Sequence, residues 1–157
     1  MNSKKLDQVL NQLSTSPQKS KNKMPRTALN REAGFWKLLK DSLKKINQKI
    51  ELTRIENWAV QGLPDVLVCS EEGKFSFIEL KVSKTNAVKL SPHQVSWLTR
   101  HSHSNSFIFV RDRNLTIHIF TGSVAVDLSL DDISGAKSLA TFSEPYDWQK
   151  IWDLTTN

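Results

Sequence analysis

Three residues that can do chemistry together fall within one short stretch, GLPDVLVCSEEGKFSFIELKVSK, from Gly62 to Lys84: Asp65, Glu79 and Lys81. Its hydrophobic letters read as two strands joined by a tight turn. Asp65 and Glu79 are symmetric about Glu72, so the turn is Glu71-Glu72-Gly73, with glycine where a three-residue hairpin needs a left-handed residue. In that register Asp65 faces Glu79 with Cβ atoms roughly 5 Å apart. Like charges so placed destabilise a sheet, and a buried carboxylate needs a partner. A small divalent cation would satisfy both, and oxygen-only ligands favour Mg²⁺ or Mn²⁺. The period of two puts Phe75, Phe77, Glu79 and Lys81 on one face. The Lys81 ammonium therefore points at the same spot, able to orient a water or stabilise the charge of a pentacovalent phosphate. Glu32 is a further candidate ligand. Together these residues describe a hydrolytic site for phosphodiesters.

The elements around the hairpin can be read from pattern. Leu29, Ala33, Trp36, Leu39, Leu43, Ile46 and Ile50 form one apolar stripe and predict a helix over 27–49. Glu32, four residues before Trp36, sits on that stripe rather than among the lysines of the outer face. Residues 49–60 read as a strand, and the hairpin strands span 65–69 and 74–82. A second helix starts at SPHQVSWLTRHS, with Ser91 as N-cap, Pro92 in the first helical position and Gln94 completing a capping box. SFIFVRD and LTIHIF are two further strands with a turn at 112–114, and SVAVDL suggests another. Tyr146, Trp148, Ile151 and Trp152 predict a short terminal helix packed on the body. His101 and His103, two residues apart, read as exposed helix-end residues rather than a metal pair, His118 as a strand residue without a special role, and Trp36, Trp58 and Trp97 as core. The order is that of an α/β domain with a central mixed sheet flanked by helices.

Composition narrows the function classes. With 157 residues, 38% hydrophobic and 24% charged, the chain suits one domain, 26–157, behind a basic arm, 1–25, in which Leu6, Val9, Leu10 and Leu13 allow two amphipathic turns. Apolar runs of a few residues exclude a transmembrane helix, so no membrane association is expected. The N-terminus has no apolar signal-peptide region. Cys69, the only cysteine, allows neither an internal disulfide nor a cysteine zinc site and fits the cytoplasm. Charge is uneven: residues 1–49 hold 12 Lys and Arg against 3 Asp and Glu, whereas 121–157 hold 2 against 6. Basic charge gathered in one third of a chain suits a polyanion partner. Arg54, Lys84 and Lys89 are candidate phosphate contacts.

GLPD, then 13 residues, then ELK resembles the motif of the PD-(D/E)xK nuclease superfamily. The helical glutamate of REAGFWKLL and the downstream LSPHQVSWL extend the resemblance to the branch with archaeal Holliday-junction resolvases, VRR-NUC nucleases and small phage-encoded endonucleases. It covers Glu32 to Val110. The resemblance implies a restriction-endonuclease-like core, Asp65 and Glu79 as metal ligands, Glu32 as the first-helix acid with Glu56 as a competing candidate, Lys81 as the catalytic lysine, and Gln94 beside the metal site. The expected function is a Mg²⁺-dependent (or Mn²⁺-dependent) DNA endonuclease. No dedicated base-reading module is evident, so branched DNA is the expected substrate, recognised by shape. A homodimer follows if four-way junctions are cut symmetrically. The alternatives are a nickase or general nuclease on linear or flap DNA, and a non-cleaving DNA-binding protein.

Overall fold

The computed structural model describes residues 31–156, apart from 48, 57 and 58. The arm expected over 1–25, together with Leu29 and Trp58, lies outside the described residues. Helix α1 (Glu32–Ile46) leads into strands β1 (Glu51–Arg54), β2 (Val66–Cys69) and β3 (Phe75–Val82). Helix α2 (Pro92–Arg100), β4 (Ser106–Arg111) and β5 (Ile117–Thr121) follow, then a 3₁₀ turn, α3 (Ala125–Gly135), β6 (Ala140–Phe142) and α4 (Trp148–Thr156). The six strands form one sheet in sequence order. Only β3 and β4 pair in parallel, bridged by α2; the other neighbours are antiparallel. This is the expected α/β architecture, a central mixed sheet flanked by helices.

Alternation along β3 explains the two layers. Ile78 and Leu80 point to a core shared with Phe35, Leu39 and Leu43 of α1 and with Ile151 and Trp152 of α4. Phe77 points the other way, toward Trp97 and Leu98 of α2 and Leu128 of α3. The terminal helix therefore packs on the body as its aromatic residues predicted. The buried line of α1 is Phe35, Leu39 and Leu43, whereas Ala33 is exposed and Trp36 half-buried. The apolar stripe is thus rotated by one residue from the expected one, yet Glu32 still heads it, three residues before Phe35.

One expectation needs correcting. SVAVDL is not a strand: its Val-Ala-Val alternation lies across a 3₁₀ turn and the start of α3, where Ala125 and Leu128 are buried at helical spacing. The sixth strand is instead β6, three residues with no readable period. His118 sits on β5 as expected, 3.3 Å from the Asp112 carboxylate. Asp112 also accepts the amides of Asn114 and Thr116, and so pins the β4–β5 turn from its side chain. His101 closes α2 and stacks on Trp97.

Candidate active site

The hairpin has the predicted register. Val66 pairs with Ile78 and Cys69 with Phe75, so the next step outward sets Asp65 opposite Glu79. Ser70 and Lys74 close the turn, and Gly73 adopts φ of 77°, in the left-handed region that favours glycine. Asp65 sits just before β2 and accepts the Leu80 amide at 3.1 Å, so its side chain is tied to the strand that carries Glu79.

Glu79 is fully buried. Its Oε1 receives the Lys81 ammonium at 2.7 Å and the Gln94 side-chain amide at 2.5 Å. Its Oε2 is buried without a hydrogen-bond partner. Burial, aided by the negative charges of Asp65 and Glu32, pushes the Glu79 carboxyl up from 4.5 to about 7, against the attraction of Lys81. For Lys81 burial acts downward, but the charge and hydrogen bond of Glu79, then Glu32 and Asp65, outweigh it and raise its pKa. The ammonium therefore stays charged inside a ring of carboxylates.

Glu32 stands across Lys81 from this pair, its carboxylate 4.0 Å from the ammonium and half exposed. Because α1 packs on the opposite face of the sheet, its first turn reaches only the rim of the site. The third ligand expected of Glu32 is therefore not gathered with Asp65 and Glu79; among the described residues no three Asp, Glu, His or Cys side chains are grouped to hold a metal. Glu56, the competing first acid, is exposed and lies 3.9 Å from Arg54.

Asp65 and Glu79 nevertheless suit a divalent cation. The donor set is all oxygen, and a buried carboxylate oxygen without a donor is the kind of atom a cation satisfies. Mg²⁺ commonly takes one or two carboxylates and completes its shell with water and phosphate oxygens.

Gln94 does two jobs with one side chain. Its Oε1 accepts the Ser91 amide, closing the predicted capping box, while its amide nitrogen donates to Glu79. A cleft of about 360 Å³ opens beside the site, lined by Glu32 and Lys81 and by the loop carrying Ser83, Lys84, Thr85 and Lys89. Lys84 and Lys89 thus share a cleft with Lys81. Arg54, on the exposed edge strand, does not line it. Sequence reasoning missed Gly62, whose backbone abuts the start of α2; no local signal distinguishes it from an ordinary turn glycine.

No family model matches the chain, and no curated protein matches it. Among solved structures it is similar to Hjc, a Holliday junction resolvase from the archaeal hyperthermophile Archaeoglobus fulgidus, at 16% identity and a TM-score of 0.43, covering 59% of this chain and 74% of that one. It is also similar to SSO0001, at 18% identity and a TM-score of 0.29, covering 96% of this chain and 79% of that one. Likenesses of this extent fix neither family nor activity. No helix among the described residues is long and apolar enough to cross a membrane.

Proposed function

We propose that the chain is a metal-dependent endonuclease that hydrolyses DNA phosphodiester bonds, with branched DNA such as a Holliday junction as its preferred substrate. The observation that carries this reading is the Glu79 carboxylate: fully buried, opposite a second carboxylate, with one oxygen held by an ammonium and an amide and the other unpartnered. A purely structural buried glutamate would have both oxygens satisfied.

Asp65 and Glu79 would hold Mg²⁺ or Mn²⁺. When bound, the cation supplies Lewis-acid activation of water and of the phosphoryl oxygens. Lys81 donates hydrogen bonds to the attacking water or to a phosphoryl oxygen, where an ammonium offsets the charge that develops at phosphorus. Hydrolysis joins a hydroxyl to phosphorus as the bond to the sugar oxygen breaks, and the remaining proton of the water goes to that oxygen. Gln94 keeps Glu79 Oε1 occupied. Glu32 keeps the outer side of Lys81 negative, so the ammonium is not carried into the solvent. Lys84 and Lys89 contact phosphates flanking the cut, and the basic arm adds contacts that carry no sequence information. Shape then has to supply selectivity, and a two-fold homodimer suits a two-fold substrate.

The test is full-length protein with Mg²⁺ or Mn²⁺ on a four-way junction, a flap, a linear duplex and single strands, at fixed salt. Junction binding tighter than a duplex of matched length and sequence, with paired nicks near the crossover, is expected. Equal affinity with scattered cuts would leave a nickase or general nuclease. Binding without cutting on any substrate would leave a DNA-binding protein.

A further inference from the structure

We infer that the first turn of α2 is a clamp that positions both carboxylates of the site, with Ser91 and Gly62 as its positioning residues. The inference rests on the nuclease reading only for what the carboxylates hold; the clamp itself is a matter of packing. One arm of it acts on Glu79. The Ser91 amide donates to Gln94 Oε1 at 2.9 Å, which fixes the plane of the Gln94 amide, and the other end of that amide donates to Glu79 Oε1. The Ser91 hydroxyl in turn accepts the main-chain amide of Gln94 at 3.2 Å, which holds the residue at the third position of the helix. With Oε1 thus held, Oε2 is the oxygen left unpartnered.

The other arm acts on Asp65. Gly62, three residues upstream, has φ of 85° and lies against the start of α2. A methyl group at Gly62 would collide with the His93 carbonyl and sit 2.9 Å from the Gln94 amide nitrogen. These neighbours are main chain in a capped helix and cannot swing aside. Leu63 packs into the core beneath α2, and Pro64 is buried, so the chain between Gly62 and Asp65 has little room to absorb a shift. A single helix end thereby sets the spacing of two carboxylates that come from different strands.

The experiment measures Mn²⁺ binding to full-length apo protein by titration calorimetry. Solvent exchange of the Leu80 amide, which donates to Asp65, is followed by NMR without metal. Ser91→Ala and Gly62→Ala are each expected to weaken Mn²⁺ binding by about tenfold to a hundredfold, the usual cost of losing a residue that orients a metal ligand. Gly62→Ala should also speed exchange of the Leu80 amide, and Ser91→Thr should restore binding. Ile119→Val, in the core on the opposite face of the sheet, controls for lost stability and should leave Mn²⁺ affinity unchanged. Wild-type affinity and Leu80 protection in both positioning variants, in a protein that binds Mn²⁺, would overturn the clamp. Wild-type protein that binds Mn²⁺ but cuts no DNA would count against the nuclease alone, and wild-type protein that binds no Mn²⁺ would overturn both.

Discussion

Glu79→Gln should gain stability relative to wild type as the pH rises from acidic to neutral. The rise of the Glu79 carboxyl from 4.5 to about 7 in the folded chain corresponds to about 3 kcal/mol, at about 1.36 kcal/mol per pH unit. Below pH 4.5 the side chain is protonated in both the folded and the unfolded chain, and the burial costs nothing extra. Between 4.5 and about 7 the unfolded chain releases its proton while the folded chain keeps it, so stability falls as the pH rises. Above about 7 the folded protein carries the full cost of a buried carboxylate. Glutamine has nearly the same shape and does not titrate. Any hydrogen bond it makes less well than glutamate is the same offset at every pH. The stability of Glu79→Gln relative to wild type should therefore grow by about 3 kcal/mol between pH 4.5 and pH 8. Urea unfolding at several pH values with a chelator present, extrapolated linearly to water, reads this difference. Adding Mg²⁺ at pH 8 should stabilise wild type and not the variant. Unfolding free energies that stay parallel across the pH range would refute the account of Glu79 as a buried acid whose charge Lys81 offsets only in part.

Lys81→Ala should lower cleavage by roughly a hundredfold or more, as loss of one charge-stabilising group does, while Mn²⁺ still binds in calorimetry. Asp65→Asn should abolish cleavage and leave junction binding intact in gel shifts; cleavage at the wild-type rate would remove it from the site. Lys84→Ala with Lys89→Ala should weaken DNA binding and reduce the slope of log affinity against log salt by about 2, roughly one for each phosphate no longer neutralised. An unchanged slope would take the cleft off the path of the DNA.

What could be read from the sequence was what local rules determine. The three-residue turn with Gly73 set the hairpin register, and the register faced Asp65 with Glu79. Ser91 and Gln94 announced the start of α2 because a capping box is a contact between residues three apart. Glu32 was placed on the buried side of α1 because it precedes Leu39 by seven residues, even though the stripe itself runs through Phe35 rather than Trp36. What failed was set by contacts across the fold. SVAVDL alternates over too few residues to separate strand from helix, and burial of Ala125 and Leu128 decided for helix. β6 is placed by pairing with β5 and by packing of Phe142 against the core, both contacts across the fold. The contact of Gly62 with His93 joins a loop to a helix about thirty residues away, and the place of Lys81 between the Glu79 and Glu32 carboxylates depends on how α1 packs on the sheet.

The strand order has a consequence for how the chain finds its shape. Every strand lies beside its neighbour in sequence, so loop-closure entropy is small for the β2–β3 hairpin and larger for the longer connections, those bridged by helices and the one from β1 to β2. The hairpin can therefore zip up early, which brings Asp65 and Glu79 face to face before α2 has docked to supply Gln94. Their mutual repulsion is then met on the way to the transition state rather than after it. Divalent cation in the refolding buffer should accordingly speed folding as well as slow unfolding, whereas a ligand that binds only the finished site would act on unfolding alone.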